Sequence, residues 1–189
     1  ISIRVLKDHF SRKMECFNEN TEPRIGEVFV MSQPMIRVRD ILCHRSGLSA
    51  FHQTLPSEAI FAWESMCAEA ASETPWWRPN EGQGYSPFMY GWIMGEIIRR
   101  ASGAASFDAY FQQHVAQMVN ARCFFGVPEA ELVNIADTAP LKKLSTGASV
   151  SSGADSIALG QIMKSDPRGV TNRAFSNPLS LMTATNSRA

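Results

Sequence analysis

Gly84-Tyr85-Ser86-Pro87-Phe88-Met89-Tyr90-Gly91-Trp92-Ile93-Met94-Gly95-Glu96-Ile97-Ile98-Arg99-Arg100-Ala101-Ser102-Gly103 is the stretch around which the rest of the chain is arranged. Phe88, Met89, Trp92, Ile93, Ile97 and Ile98 recur at three- and four-residue spacing, which predicts a helix with one broad apolar face turned to a core. Gly91 and Gly95 each cost a free helix about 1 kcal/mol relative to alanine, so both are expected to sit close against another backbone. Glu96 and Arg100 stand four apart and are expected on the exposed side. Ser102-Gly103 supplies a left-handed stop. Tyr85 stands in the loop just before the helix.

The remainder of the chain narrows the class of protein. With 189 residues and 44% hydrophobic content it is long enough for one domain with a substantial core. Eighteen basic residues balance eighteen acidic ones without a basic block, so neither nucleic acid nor an anionic membrane is expected as the partner. A small molecule is. Cys16, Cys43, Cys67 and Cys123 are scattered without a CxxC pair. That pattern indicates neither a zinc knuckle nor a disulfide framework, and fits thiols in a reducing, cytoplasmic setting. No apolar run reaches the roughly 18 residues of a membrane span, and residues 1–34 hold no basic-then-apolar signal pattern.

Three further helices are expected. Val38, Ile41, Leu42 and Arg45 follow helical spacing up to a stop at Gly47. Residues 57–71 carry Ile60, Phe61, Trp63, Met66, Cys67 and Ala70 on one side, with Pro56 at the start. Ser106 is a good N-cap for a helix whose stripe is Phe107, Tyr110, Phe111, His114, Val115, Met118 and Val119. Between the second of these and the central helix, residues 74–84 hold two prolines, two glycines and the pair Trp76-Trp77. This composition predicts an ordered loop pinned by its aromatics. Elsewhere, residues 28–31 suggest a buried strand or equally a packed loop, 133–136 a strand, 144–153 a flexible small-residue segment, 157–164 a short helix, and 171–189 a loop-rich tail. Three stretches of one domain result: an unassigned 1–34, a helical 35–143, and a linker with tail over 144–189.

The chemistry is defined as much by what is missing. His9, His44, His52 and His114 show no HxxxH or HExxH spacing, so no metal and no cofactor are expected. His114 reads as a partly buried member of its stripe and His44 as a stabiliser of a turn. No G-x-S-x-G is present, and no serine has a lysine three residues later, the spacing that sets a hydroxyl beside an amine on one helical face.

Ile36-Arg37-Val38-Arg39-Asp40-Ile41-Leu42-Cys43-His44-Arg45-Ser46-Gly47-Leu48 resembles the short helix and His-x-Ser-Gly-Leu turn of the serine β-lactamase-related family, which includes class C β-lactamases, DD-peptidases and family VIII carboxylesterases. Pro79-Asn80 through Tyr85, with the helix from Tyr90 to Arg100, is similar to that family's proline-led loop, active-site tyrosine and following helix. The resemblance spans about residues 35–125. Residues 171–178 more faintly resemble a later loop of the esterase-like branch. It implies a mainly α chain: the helical subdomain and connecting loops of the β-lactamase/transpeptidase-like α/β fold, lacking most of the sheet. Exposed apolar surface is then expected on the faces that meet the sheet.

In that family a Ser-x-x-Lys pair supplies the nucleophile, and a tyrosine helps move the serine proton and protonate the leaving group. The tyrosine corresponds to Tyr85. An isolated phenol, titrating near pH 10, is a poor base at neutral pH, so the role implies a cationic lysine beside it. Pro87 stands where β-lactamases place asparagine and cannot hydrogen-bond a lactam or peptide carbonyl, which favours an esterase. Arg37 replaces a threonine N-cap, weakening that cap. Leu144, before Ser145-Thr146-Gly147, stands where a closing Lys-Thr-Gly strand would begin with lysine. The resemblance thus implies the middle part of a longer serine hydrolase, inactive alone, that cleaves a small ester or amide through an acyl-enzyme. Trp76 and Trp77 are loop anchors with a substrate-lining role as the alternative. The rival readings are a non-catalytic fragment or pseudoenzyme serving as a binding module, and a β-lactamase or DD-peptidase proper.

Overall fold

A computed structural model of the chain describes residues 36–138 and 159–182. The stretch 1–34, the strand or packed loop expected at 28–31 and the small-residue segment at 144–153 lie outside the described residues. In order, the elements are helix α1 (Val38–Leu42), a 3-10 turn (Ser57–Phe61), α2 (Trp63–Ser72), α3 (Met89–Ser102) and α4 (Phe107–Phe111). A π turn (Gln112–Ala116) continues α4. A 3-10 turn (Glu129–Asn134), α5 (Leu159–Ser165), α6 (Val170–Ser176) and a last 3-10 turn (Leu179–Met182) follow. No described residue lies in a β-strand, and no helix among them is long and apolar enough to cross a membrane.

The centre is the packing of α2 on α3. Met66, Cys67 and Ala70 of α2 and Met89, Ile93 and Ile97 of α3 are buried together with Ile36, Ile41, Leu48, Phe51 and Leu55 from the preceding segment. Helix α3 ends as its sequence predicts, on Gly103 in the left-handed conformation (φ 70°). Three features of its surface differ from expectation. Gly95 is buried, but it receives the Trp63 ring and not a backbone: a Cβ there would lie 2.5 Å from Trp63 Cη2. Gly91 faces open space, with nothing within 4 Å. Glu96 is not on the solvent side either. It is 3% exposed, because the bulk of Trp63 over Gly95 covers it and charged partners satisfy it inside.

The expected helix over 57–71 is broken at Ala62, which is extended (φ −106°, ψ 92°). The turn before it packs on Leu179–Met182 and the helix after it packs on α3, so the chain changes direction between two different partners. Ser106 caps α4 as predicted, its hydroxyl accepting from Ala109 N–H at 3.0 Å. The stripe beyond loosens into a π turn, leaving Met118 54% exposed.

Two corrections concern the later chain. Residues 133–136 do not form a strand: Val133 and Asn134 close a 3-10 turn and Val133 is 86% exposed, since a strand needs a sheet neighbour and none stands among the described residues. Within the tail expected over 171–189, the described residues hold a helix to Ser176 and a 3-10 turn at Leu179–Met182, and Ala174, Asn177 and Pro178 are buried. This segment is docked by polar bonds more than by apolar contacts. Asn177 Nδ2 donates to the carbonyls of Phe51 (3.1 Å) and Gln53 (2.6 Å), and its Oδ1 accepts from Leu55 N–H (3.0 Å). Leu42, Phe61, Met118, Phe125, Val133 and Leu179 leave apolar surface at or above half exposure.

Candidate active site

Two loops meet at the N-terminal end of α3. The first runs from α1 through the turn at residues 43–50; the second is the aromatic loop at 74–86. Asp40, buried at the end of the first turn of α1, accepts Arg37 N–H on Oδ2 (2.9 Å) and Asn80 Nδ2 on Oδ1 (3.2 Å). The first of these is the half of a capping box in which an acidic residue in the first turn reaches back to the N-cap amide. Further along, Asn80 N–H donates to Arg45 O (2.8 Å), Trp76 N–H to Gly47 O (3.0 Å) and Ser49 Oγ to Gly84 O (2.8 Å). Gly47 has φ 81°, and a Cβ there would collide with the Trp77 carbonyl and Pro75, so glycine is required twice over.

The two tryptophans fix the second loop. Trp76 donates its Nε1–H to Ala50 O (2.8 Å) and stacks on the His52 ring, with centroids 3.9 Å apart; His52 in turn holds Glu73 at 2.7 Å. Trp77 lies against Gly82 and Gly84, and its Nε1 is buried without a hydrogen-bond partner among the described residues.

Tyr85 is carried on this scaffold and is 65% exposed. Its neighbours in the chain are both held by one residue. Gly84 N–H donates to His44 O (3.0 Å) and Ser86 N–H donates to His44 Nδ1 (3.2 Å). The His44 ring meets Tyr85 edge-on at 4.9 Å and Tyr90 at 5.0 Å, and His44 reaches this position with φ 54°. Ser86 is buried, with a hydroxyl that has no partner among the described residues.

Below the loop, α3 is clamped by a charged cluster. Glu96 accepts from Arg99 Nη2 (2.7 Å) and Nε (2.8 Å), from Trp63 Nε1 (2.9 Å) and from Arg100 Nε (2.7 Å). The Arg99 bonds, with those of Trp63 and Arg100, outweigh burial and hold its carboxyl at about 2. Burial, aided by the Glu96 charge, pushes the neighbouring Cys67 thiol up to about 12. No group of three or more His, Cys, Asp or Glu that could hold a metal is found among the described residues.

The tyrosine at the entrance of a buried helix, the tryptophan-pinned loop and the turn that grips them define the helical part of a β-lactamase/transpeptidase-like fold. Residues 32–172 match the beta-lactamase family model, which is well over half of the chain, and the chain belongs to that family. Among solved structures, a novel penicillin-binding protein (PBP) homolog from Caulobacter crescentus superposes with a TM-score of 0.60 at 24% identity. The match covers 69% of this chain and 36% of that one, so the chain spans little more than a third of that relative's length. No curated protein matches.

Of the residues singled out in the sequence, Tyr85 is exposed beside His44, Trp77 lies against Gly82 and Gly84, and Trp76 packs on Ala50 and His52 of the opposite loop. Sequence reasoning assigned His44 to its turn but missed the hold on both sides of Tyr85. That hold depends on a left-handed histidine, for which a local sequence offers no signal.

Proposed function

We propose that the chain is the tyrosine-bearing helical part of a serine hydrolase that cleaves small esters through an acyl-enzyme, with Tyr85 in proton transfer. The carrying observation is that Tyr85 is 65% exposed although the backbone on both sides of it is tied to His44. A tyrosine serving only as an anchor buries its ring. One whose backbone is fixed while its ring stays in solvent is held out toward another molecule.

In this reading a serine Oγ attacks the ester carbonyl, and its proton passes through a lysine and the Tyr85 phenol to the leaving alcohol, giving an acyl-enzyme that water then hydrolyses. The serine and lysine come from a Ser-x-x-Lys segment that is not among these 189 residues. Pro87, which lacks a side-chain amide, supports an ester over a lactam or peptide. Trp76 and Trp77 serve the substrate by shaping the loop that carries Tyr85, a role supported by their contacts with Ala50, His52, Gly82 and Gly84.

The test is turnover of short p-nitrophenyl esters and labelling by a fluorophosphonate probe, using the protein that carries this chain. Tyr85→Phe is expected to lower kcat by about 10²- to 10⁴-fold with the fold intact. Unchanged turnover in that variant removes Tyr85 from the chemistry. Hydrolysis of a chromogenic cephalosporin as fast as the esters points instead to a β-lactamase or DD-peptidase. The second reading is a non-catalytic binding module, and a parent protein that resists fluorophosphonate labelling supports it.

A further inference from the structure

Tyr85 is presented by a single residue on another segment. Two backbone amides, one before it and one after it, donate to two different atoms of His44: Gly84 N–H to the carbonyl at 3.0 Å and Ser86 N–H to Nδ1 at 3.2 Å. The imidazole edge then rests on the phenol ring at 4.9 Å. An amide can only donate, so Nδ1 must be the acceptor nitrogen and the ring proton of the neutral imidazole sits on Nε2. The left-handed backbone of His44 (φ 54°) is a conformation uncommon outside glycine, which His, Asn and Asp adopt more readily than other residues. It aims the carbonyl and the ring at the same short stretch. Asp40, Arg45, Gly47 and Ser49 hold the flanking residues of that turn to the aromatic loop, so the grip does not rest on His44 bonds alone.

We propose that His44 is the positioning residue for Tyr85: it fixes the direction in which the phenol leaves the loop, by bracketing its backbone and bracing its ring. The structural part of this proposal stands by itself, and its consequence for turnover rests on the reading of Tyr85 as the proton-transfer residue. Two contributions are separable. Asparagine tolerates the left-handed conformation and offers Oδ1 in place of Nδ1, but has no ring. Glycine tolerates the conformation and offers neither.

The experiment uses the 189-residue chain labelled with 3-fluorotyrosine. Its three resonances belong to Tyr85, Tyr90 and Tyr110 and are assigned by single Tyr→Phe variants. In His44→Gly the Tyr85 resonance is expected to sharpen and to move toward the position of an unconstrained, solvent-exposed tyrosine, while Tyr110, distant in the chain, stays in place. In His44→Asn it moves only part of the way. A Tyr85 resonance that stays where it was in His44→Gly, with Tyr110 unmoved, overturns the proposal. Should His44→Gly unfold, seen as collapse of Tyr110 as well, His44→Asn decides: a shifted Tyr85 supports the proposal and an unshifted one overturns it. In the esterase assay, His44→Asn is expected to lower kcat by about 10- to 100-fold with KM unchanged, the cost of a reacting group set about an ångström off. If Tyr85→Phe leaves turnover intact, the catalytic reading fails, and the resonances still decide whether His44 holds Tyr85.

Discussion

Trp63 Nε1 donates to Glu96 Oε2 at 2.9 Å across the interface of α2 and α3, and the same indole covers Gly95 one residue earlier. A carboxylate 3% exposed in an apolar interface is tolerable only when its lone pairs are filled, and four donor atoms fill them here. Glu96→Ala is expected to destabilise the chain by about 1–3 kcal/mol, because Arg99 and Arg100 can turn back to water while Trp63 loses its acceptor. Trp63→Phe, which keeps the arginine bonds, should cost about 1 kcal/mol from the lost hydrogen bond and more from the indole ring lost over Gly95. Urea midpoints of the two variants give the comparison, and equal midpoints to wild type contradict the clamp.

The same carboxylate makes stability depend on acid. Its folded value of about 2 lies below the ordinary 4.5, so its contribution is fully present above about pH 4.5 and is lost as pH falls toward 2. The stability difference between wild type and Glu96→Gln should therefore shrink between pH 4.5 and pH 2 and be constant from pH 5 to 7. Urea titrations at pH 7, 4.5 and 3 measure it; a difference independent of pH means that Glu96 is not held ionised.

Gly91 and Gly95 should respond in opposite directions to the same change. Gly91→Ala adds a methyl to open space and is expected to stabilise α3 by up to about 1 kcal/mol. Gly95→Ala places Cβ 2.5 Å from the Trp63 ring and is expected to destabilise by about 1–3 kcal/mol despite the better helix propensity. Thermal midpoints separate the signs.

The cysteines should differ as sharply. Cys43 and Cys123 are exposed, whereas Cys67 is buried, donates toward Trp92 O at 3.7 Å and has a thiol pushed up to about 12. In native chain at pH 8, Ellman's reagent is expected to modify Cys43 and Cys123 within minutes and Cys67 only once the chain unfolds. Mass mapping that finds Cys67 modified at the native rate contradicts its burial.

Tyr85, the α3 helix, its glycine stop and the Ser106 cap were all readable from local pattern, since periodicity and capping depend on neighbours in the chain. So was the role of Trp76 and Trp77 as pins, because a loop with two prolines and two glycines has few other ways to become ordered. The helix Val170–Ser176 and the turn Leu179–Met182 were not readable. Their apolar residues are few, and their position comes from Asn177 bonding to backbone atoms more than 120 residues away. The Gly95 contact escaped for a related reason: helical spacing shows that a face is buried, not whether a backbone or an indole lies on it.

By itself the sequence determined the α3 helix and its glycine stop, the Ser106 cap and the ordered loop that leads through Tyr85 into α3, because each follows from residues within a few positions of one another. Only the tertiary structure decided that Glu96 is buried, that Gly91 is free and that His44 holds both sides of Tyr85. Those outcomes depend on which distant groups arrive to fill a lone pair, cover a glycine or accept an amide proton, and no local pattern carries that information.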